Sequence, residues 1–345
     1  MKKIIQTIRP LQGSLNQVLP LALSILISPF LFTSCTDEME YDKIANEPLN
    51  QNQVLELVPA PNKWIEITGE SSNSLRTTEA PGFDGGRYNI SLKYVVPVTE
   101  RQEEVFEAAV ARWERIIIKD VPSFTGTIPS AFTGFPPAID GTIDDIVIEV
   151  ALAPIDGPGG ILGQAGPRFV RTSDNLTLTG IMFFDVDDLD FLEQIDLFEE
   201  VIVHEMGHVL GVGTLWNFNR TLRQGGVNPY FTGVGANVHW NAEGGDGELP
   251  IENIGGPGTA FSHWRESVLN NELMTGFLNF GENPLSRITA GSMRDLGYGT
   301  AIVGDKYNLL KGAQGVDIQN PFGNEGIHIA EMEVILMPIG SVTTK

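Results

Sequence analysis

Cysteine and positive charge are the two features that this sequence of 345 residues has least of. Its one cysteine, Cys35, excludes an intramolecular disulfide. Lysine and arginine number 22 against 44 aspartate and glutamate residues, which gives a formal net charge of −22. Because phosphate binding needs a basic surface, this balance argues against a nucleic-acid partner. The content of 42% hydrophobic and 19% charged residues is that of a globular protein rather than a disordered one.

A hydrophobic run long enough to cross a membrane is also missing. A basic start and an apolar run from Val18 to Phe32, interrupted by proline and short for a transmembrane helix, predict an export signal over residues 1–34. The run ends in Leu-Phe-Thr-Ser before Cys35, which resembles the lipobox of bacterial lipoproteins. That resemblance implies cleavage before Cys35, lipidation of its thiol, and a place in the cell envelope, at the outer membrane or cell surface. A plain signal peptide with a free thiol nearby is the alternative.

Histidine is scarce as well, with five in the chain, yet two of them form an H-E-x-x-H motif with His204, Glu205 and His208. Residues i and i+4 of a helix stand on one face, so the two imidazoles can bind a single zinc ion. Glu205 is then placed to act as a general base on a zinc-bound water. Gly211 predicts a sharp turn after the helix. The alternative is a pair of ordinary histidines on an amphipathic helix.

The remaining pattern predicts one sheet with two helices packed on it. Alternating apolar residues predict strands over 88–96, 143–153 and 177–184, with a short strand at 65–67. Thr99 and Gln102 predict a capping box for a helix that ends before Pro122. Asp196 and Glu199 predict a second capping box, for the helix that carries the motif. This order of elements is typical of an α/β domain.

The domain boundaries follow from composition. Residues 35–86 are predicted to be a tether and N-terminal segment, because their start is acidic and residues 71–86 are rich in turn formers. Residues 87–299 are predicted to be the main domain, with an ordered insertion at 212–262 that its aromatic residues pin in place. Residues 300–345 are predicted to be a C-terminal segment that contains strands.

Two further segments carry predictions about binding. Glycine and proline punctuate residues 156–167 and confine the predicted strand, at the edge of the sheet, to Ile161, Leu162, Gly163, Gln164 and Ala165. An exposed edge can bind an extended substrate chain by backbone pairing. The acidic residues that follow the next strand, Asp185, Asp187, Asp188 and Asp190, can bind calcium, although a solvated loop is the commoner reason for such a run.

A catalytic zinc ion takes three protein ligands and keeps one position open, so one further ligand is needed. The remaining histidines are His239, His263 and His328, and Glu243 is an acidic alternative. His263 stands ahead of Met274, which lies in a Leu-Met-Thr-Gly run, whereas His239 has no methionine turn close behind it. A structural site would need four ligands, usually with cysteines, and the one cysteine is at the predicted lipid anchor.

At this point the sequence resembles the leishmanolysin-like metalloproteases, in particular their shorter bacterial relatives. Most metzincin proteases carry the third histidine six residues after the second, where this chain has Thr214. In the leishmanolysin-like family that histidine is displaced by an insertion, is followed by a tryptophan, and precedes a methionine turn. His263-Trp264 and Met274 match this pattern. The resemblance implies that His263 is the third ligand and that Met274 lies beneath the metal.

The resemblance implies a zincin fold of α/β or α+β class: a metzincin-type catalytic domain with a twisted mixed sheet, an active-site helix and a methionine turn. It covers roughly Phe106 to Tyr298. Known members are rich in disulfides and keep a cysteine in a pro-segment, and this chain has neither. Their latency mechanism and C-terminal architecture are therefore not carried over.

The sequence thus predicts a zinc-dependent endopeptidase that hydrolyses peptide bonds of extracellular proteins, with one catalytic Zn²⁺. Its partners would be protein or peptide substrates, and it would contact the membrane only through the lipid anchor. A non-catalytic surface lipoprotein, a binding module on a zincin fold, is the alternative. The intact Glu205 favours the enzyme, because a binding module has no need of a base.

Overall fold

The computed structural model describes residues 57–70, 86–218, 220–256, 259–309 and 326–344. All of them belong to one unit, residues 54–345. The predicted signal peptide, Cys35 and most of the predicted linker lie outside the described residues. Among the helices of the described ranges, none is both long enough and apolar enough to span a lipid bilayer.

The described ranges contain both strands and helices. The strands are β1 (Ile65–Gly69), β2 (Ile90–Tyr94), β3 (Ile117–Lys119), β4 (Phe124–Ile128), β5 (Ile139–Ile143), β6 (Ile146–Leu152), β7 (Gly163–Arg171), β8 (Thr177–Phe184), β9 (Arg223–Gln224), β10 (Tyr230–Phe231), β11 (Leu249–Pro250), β12 (Leu278–Asn279), β13 (Gly299–Thr300), β14 (Gly326–Ile327), β15 (Glu333–Ile335) and β16 (Gly340–Thr344). The helices are α1 (Glu100–Ile116), α2 (Val186–Gln194), α3 (Phe198–Leu210), α4 (Val234–Ala242), α5 (Glu266–Leu269), α6 (Arg287–Leu296) and α7 (Ile329–Met332).

The fold is mixed α/β and is built on a seven-stranded mixed sheet of order β1-β16-β7-β8-β6-β2, with β15 also paired to β7. The pair β7–β8 is antiparallel, and the other pairs in this sheet are parallel. Strand β6 is buried along its whole length. Ile148 and Val150 pack in the main hydrophobic core with α1 and α3, whereas Val147 packs with Phe124 of β4 on the opposite face. Burial on both faces explains why β6 is apolar at every position except Glu149.

Helix α1 begins as predicted. The Thr99 side chain accepts a hydrogen bond from the Gln102 backbone, and the Gln102 side chain accepts one from the Thr99 backbone, which completes the capping box. Its apolar stripe is buried against α3, where the Trp113 indole donates a hydrogen bond to the carbonyl of Val203, at 2.9 Å. This hydrogen bond fixes α1 on the turn just before the H-E-x-x-H motif.

The predicted capping box of the motif helix is wrong. Helix α3 begins at Phe198, its N-cap is Leu197, and no side chain caps it. Asp196 instead adopts a positive φ of 59° in the turn after α2. The acidic run that precedes it is helical, because Asp185 caps α2 by accepting a hydrogen bond from the backbone of Asp187. A second, unpredicted helix therefore replaces the loop expected there.

The prediction of a short edge strand at 161–165 also needs correction. Strand β7 begins at Gly163 and continues through Pro167 to Arg171, and it lies inside the sheet rather than at its edge. Its pairing with β8 has register shifts at Pro167 and Phe169, and such an irregularity is where a strand tolerates proline. The outer side of β7 pairs with β15 and β16, both from the C-terminal segment. The predicted C-terminal strands thus complete the main sheet.

The insertion at 212–262 is ordered around three aromatic rings. Trp216 stacks on Trp264 with ring centroids 4.6 Å apart, and Phe231 packs edge-on against both. All three side chains are fully buried. The insertion also contains α4 and a small three-stranded sheet, β11-β10-β9. Trp264 directly follows His263, so this aromatic cluster holds the insertion against the segment that supplies the third histidine.

Candidate metal centre

Three imidazoles from two distant parts of the chain converge at one point. His204 and His208 stand one turn apart on α3, and His263 arrives from the end of the insertion. The Nε2 atom of His204 lies 3.0 Å from that of His208 and 3.2 Å from that of His263, and the latter two are 3.0 Å apart. All three side chains are completely buried. The structure therefore brings together the three histidines that the sequence paired with zinc.

Backbone carbonyls set the tautomer of each ring. The Nδ1 atoms of His204, His208 and His263 lie 2.7, 2.9 and 3.1 Å from the carbonyl oxygens of Leu273, Val212 and Thr259. A carbonyl can only accept, so each Nδ1 carries a proton, and in its neutral form each ring turns a bare lone pair on Nε2 towards the other two. Val212 reaches His208 because the chain turns back at Gly211, which has a φ of 121°.

This arrangement fits a metal ion better than it fits three histidines alone. Three neutral imidazoles whose lone pairs meet at about 3 Å repel one another, and a cation between them converts that repulsion into ligation. Nitrogens bound to one tetrahedral zinc ion at about 2.0–2.1 Å stand roughly 3.3 Å apart, close to the spacing found here. The carbonyl partners of Nδ1 are the outer hydrogen bonds that orient metal-binding histidines.

A fourth donor, which the sequence did not predict, completes the cluster. Glu333 at the start of β15 places Oε1 2.9 Å from Nε2 of His263. Its Oε2 lies 3.4 Å from Nε2 of His204 and 3.6 Å from that of His208. His204, His208, His263 and Glu333 form a buried group that can hold a metal ion. With Glu333 in place the group has four donors, which is the coordination number of a closed zinc site.

Glu205 lies beside this group, with its carboxyl group fully buried and next to that of Glu333. Burial, and then the negative charge of Glu333, raise the pKa of Glu205 well above its usual value. Burial would also raise the pKa of Glu333, but His263 and His208 outweigh it and hold that pKa well below the usual range. Of the two carboxyl groups, Glu333 is therefore the anion that faces the histidines.

The same balance of burial and charge shifts the pKa values of His208 and His263 in opposite directions. Burial lowers the pKa of His208 to about 3, so this ring is neutral at neutral pH. Burial also acts to lower the pKa of His263, but the adjacent Glu333 carboxylate outweighs it and raises that pKa. A neutral imidazole is the form that binds a metal.

Met274 packs against the helix that carries two of the histidines. Its sulfur and methyl group contact α3 at Gly207, between the two ligand positions, so that a Cβ there would come within 2.8 Å of either atom. The Met274 carbonyl accepts a hydrogen bond from the Trp264 backbone at 3.0 Å, which ties this turn to the residue after His263. The turn thus contacts both the helix and the residue that follows the third histidine.

The buried carboxylate of Glu272, whose role the sequence did not reveal, holds this turn in place. Its Oε2 accepts the Met274 amide at 2.7 Å, and its Oε1 accepts the hydroxyl groups of Ser286 and Thr289, both at 2.6 Å. Thr289 also accepts the indole N–H of Trp264 at 2.8 Å. A glutamate beside a Leu-Met-Thr-Gly turn carries no local signal, because its partners lie on α6.

The alternative ligands lie elsewhere. His239 is on α4 beside Arg294 and Asp295 of α6, and the ring of His328 stacks on Phe277 with centroids 4.0 Å apart. Neither belongs to the cluster of four donors, nor does Glu243, the C-cap residue of α4. Thr214, where most metzincins carry their third histidine, donates a hydrogen bond to the carbonyl of His208 at 2.7 Å. Its role is to close the end of the helix.

The acidic run at the start of α2 organises the chain that leads into β7. Asp185 accepts hydrogen bonds from the amides of Ile155, Asp156 and Gly157, each at 2.9 Å, and Asp188 accepts one from Gly159 at 2.8 Å. These contacts account for two of the four carboxylates without a cation. Calcium binding here stays a prediction.

The predicted substrate segment is already paired. Gly163, Gln164 and Ala165 lie opposite Glu333, Val334 and Ile335 of β15. Ahead of the strand, the Leu162 amide donates to the carbonyl of Met332 at 2.8 Å, and the Ile161 amide donates to Asp156 at 2.8 Å. An extended chain can therefore bind along this side of β7, and the C-terminal segment occupies it here.

The sequence analysis missed Glu333. A signal was present, because Glu333 is a single carboxylate within the apolar run Met332-Glu333-Val334-Ile335-Leu336. A charged residue in such a run is buried only if it is paired or binds a metal. The sequence does not tell which partner it meets.

Comparison with known proteins adds no assignment, since the chain matches no protein-family model and no curated protein matches it in sequence. Its function is therefore argued from the geometry of the site.

Proposed function

We propose that this protein is a zinc-dependent endopeptidase of the metzincin type, similar to the leishmanolysin-like proteases. The observation that carries the proposal is the convergence of three Nε2 lone pairs within 3.2 Å, with the Glu205 carboxyl group buried beside them. Imidazole nitrogen suits zinc among the common metals, and three histidines with an adjacent glutamate are typical of catalytic zinc sites.

His204, His208 and His263 would hold the ion. A bound zinc ion supplies a Lewis acid, which acidifies water and polarises a peptide carbonyl. Glu205, in its ionised form, would accept the proton of the attacking water on a carboxylate oxygen and pass it to the leaving amine.

The substrate would bind as an extended chain along Gly163–Ala165, by backbone pairing of the kind that β15 makes with this segment. The proposed substrates are therefore proteins or peptides. Export and a lipid anchor at Cys35 belong to the same proposal, and place those substrates outside the cytoplasm.

One observation favours the alternative, a non-catalytic surface protein on the same fold. Glu333 fills the fourth position that a catalytic site keeps open, and a closed site of four ligands is typical of structural zinc. The position of Glu205 argues against this alternative. Burying a further carboxyl group beside Glu333 is costly, and a structural site has no use for it.

The test measures metal content and peptide cleavage in the same preparations. Elemental analysis of the purified full chain should find zinc. A peptide library is then incubated with the wild type and with Glu333→Ala, which keeps the three histidines and Glu205. If either protein cleaves a peptide and the additional substitution Glu205→Gln abolishes that cleavage, the proposal is supported. If the zinc-loaded preparations cleave no peptide, the result favours the alternative, a non-catalytic surface protein.

A further inference from the structure

The C-terminal segment, defined here as residues 326–344, lies across the metal centre and fills the place of a substrate. Its strand β15 pairs with Gly163–Ala165, the part of β7 that faces the cluster, and Glu333 reaches the three imidazoles. One segment therefore occupies both the backbone-binding side of β7 and the fourth donor position.

Contacts on both sides of Glu333 fasten the segment. Before it, β14 pairs with β12, and the Ala330 amide donates to the carbonyl of Gly276 at 3.2 Å. After it, the Leu336 amide donates to Ala165 at 2.7 Å, and β16 runs between β7 and β1. The carboxylate is therefore held in register with β7 rather than placed by a free side chain.

The fastening also reaches the third histidine. The hydroxyl of Thr259 donates to the carbonyl of Ala330 at 3.0 Å, while the Thr259 carbonyl lies 3.1 Å from Nδ1 of His263. Gly276, which accepts the Ala330 amide, closes the turn that contains Met274. The segment thus packs on the elements that position the metal donors.

We propose that residues 326–344 form an internal inhibitor, in which Glu333 binds the metal and β15 blocks the substrate-binding side of β7. The inference rests on the proposed function, and names the regulation of the same site. While the segment is docked, neither a water molecule nor a substrate carbonyl can take the fourth position. Displacement or removal of the segment would open the site.

The inference is tested by the access of a small ligand to the metal, which does not depend on catalysis. The full chain is loaded with Co²⁺ in place of zinc, and acetohydroxamate is titrated while the visible absorption spectrum of the cobalt is recorded. If the segment closes the site in at least about nine molecules in ten, the apparent affinity of the wild type is lowered by about tenfold or more. Glu333→Ala should therefore bind acetohydroxamate at least about tenfold more tightly than the wild type.

Two further variants separate the carboxylate from the segment. Glu331→Ala is the matched control, since Glu331 lies on the same segment and its carboxylate contacts His328 at 3.1 Å rather than the cluster. It should bind acetohydroxamate as the wild type does. Leu336→Pro removes the amide that donates to Ala165 but leaves all four donors in place. It should loosen the segment and strengthen acetohydroxamate binding.

Equal binding of acetohydroxamate by the wild type and by folded, cobalt-loaded Glu333→Ala would overturn the inference, whatever the peptide assay shows. Should Glu333→Ala fail to fold, equal binding by the wild type and Leu336→Pro would overturn it instead. Failure of the proposed function would give a different result. Glu333→Ala would then bind acetohydroxamate more tightly than the wild type, but neither protein would cleave peptides.

Discussion

Glu205 is the residue on which the difference between an enzyme and a metal-binding protein depends. It lies next to His204 in the chain, yet it is not among the four donors that converge on the metal position. Its carboxyl group is buried, and burial together with the charge of Glu333 raises its pKa, which fits a group that exchanges protons during a reaction. Its removal should therefore affect the reaction and spare the metal.

We predict that Glu205→Gln abolishes peptide hydrolysis and leaves zinc bound. The amide cannot accept the proton of the attacking water, and general-base catalysis contributes roughly 10²-fold or more to the rate. Zinc content and cleavage rate are measured on one preparation, with Glu333→Ala as the background if the wild type is latent. A variant that retains activity within about tenfold of its parent would rule out the base.

We predict that His263→Ala loses zinc and that His239→Ala keeps it. The Nε2 atom of His263 lies within 3.2 Å of the other two ligand nitrogens, whereas His239 lies on α4 outside the cluster. Removing a ligand should cost most of the metal affinity, and removing a bystander should cost little. Zinc stoichiometry is measured after dialysis against a mild chelator, and the opposite ranking would refute the ligand set.

At the scale of elements, the loop before β7 depends on the N-terminus of α2. One carboxylate oxygen of Asp185 accepts hydrogen bonds from the amides of Ile155, Asp156 and Gly157. The other oxygen accepts one from the amide of Asp187. Burial would raise the pKa of Asp185, but these backbone hydrogen bonds outweigh it and lower the pKa below its usual value. The ionised carboxylate therefore stabilises the fold.

We predict that Asp185→Asn lowers the free energy of unfolding by about 1–2 kcal/mol at neutral pH, because charge-assisted hydrogen bonds become neutral ones. A carboxylate whose pKa is depressed on folding stabilises above its unfolded value, about 3.9, and that stability is lost as the pH falls through the folded pKa. The difference between wild type and variant should therefore shrink below about pH 4. Urea unfolding at a series of pH values measures it, and a difference that grows on acidification would contradict the assignment.

For the whole molecule, a metal ion at the four-donor cluster would join parts that are distant in sequence. The donors come from α3, from the end of the insertion and from the C-terminal segment, so an ion between them links three regions of the fold. Without it, three buried lone pairs and a carboxylate face one another. The stability of the protein should therefore depend on zinc.

We predict that chelation lowers the Tm of the wild type. An ion that binds only the folded state stabilises it by about 4 kcal/mol when its free concentration is a thousand times its Kd. Calorimetry with and without chelator measures the shift, and His263→Ala is the matched control, since it should show little further change. Identical melting of the wild type in both conditions would show that the metal plays no part in stability.

The N-terminal prediction also concerns the whole molecule. We predict that Cys35 is lipidated, because small residues precede it at the end of an apolar run. Metabolic labelling with a fatty-acid analogue should mark the wild type, and Cys35→Ala should incorporate none. If Cys35→Ala still incorporates the analogue, the lipid is not attached to Cys35 and the prediction is wrong.

The sequence by itself determined the parts of the site that are local. His204, Glu205 and His208 follow from helical spacing, and the cap of α1 follows from Thr99 and Gln102, because both depend on residues within one turn. The start of α3 and the extent of β7 were predicted less well. Asp196 and Pro167 have conformations that depend on the turn after α2 and on the pairing with β8, and neither is visible in a short window.

Tertiary structure alone decided how the site is closed. That His263 meets the other two histidines was expected from a resemblance, but only the folded insertion, anchored by Trp216 and Trp264, brings it there. Glu333 was invisible for a stronger reason, since its position depends on the register of β15 on β7. A shift of one residue in that pairing would turn the carboxylate to the other face of the strand. Backbone hydrogen bonds between distant segments therefore determine whether the metal position is open or occupied.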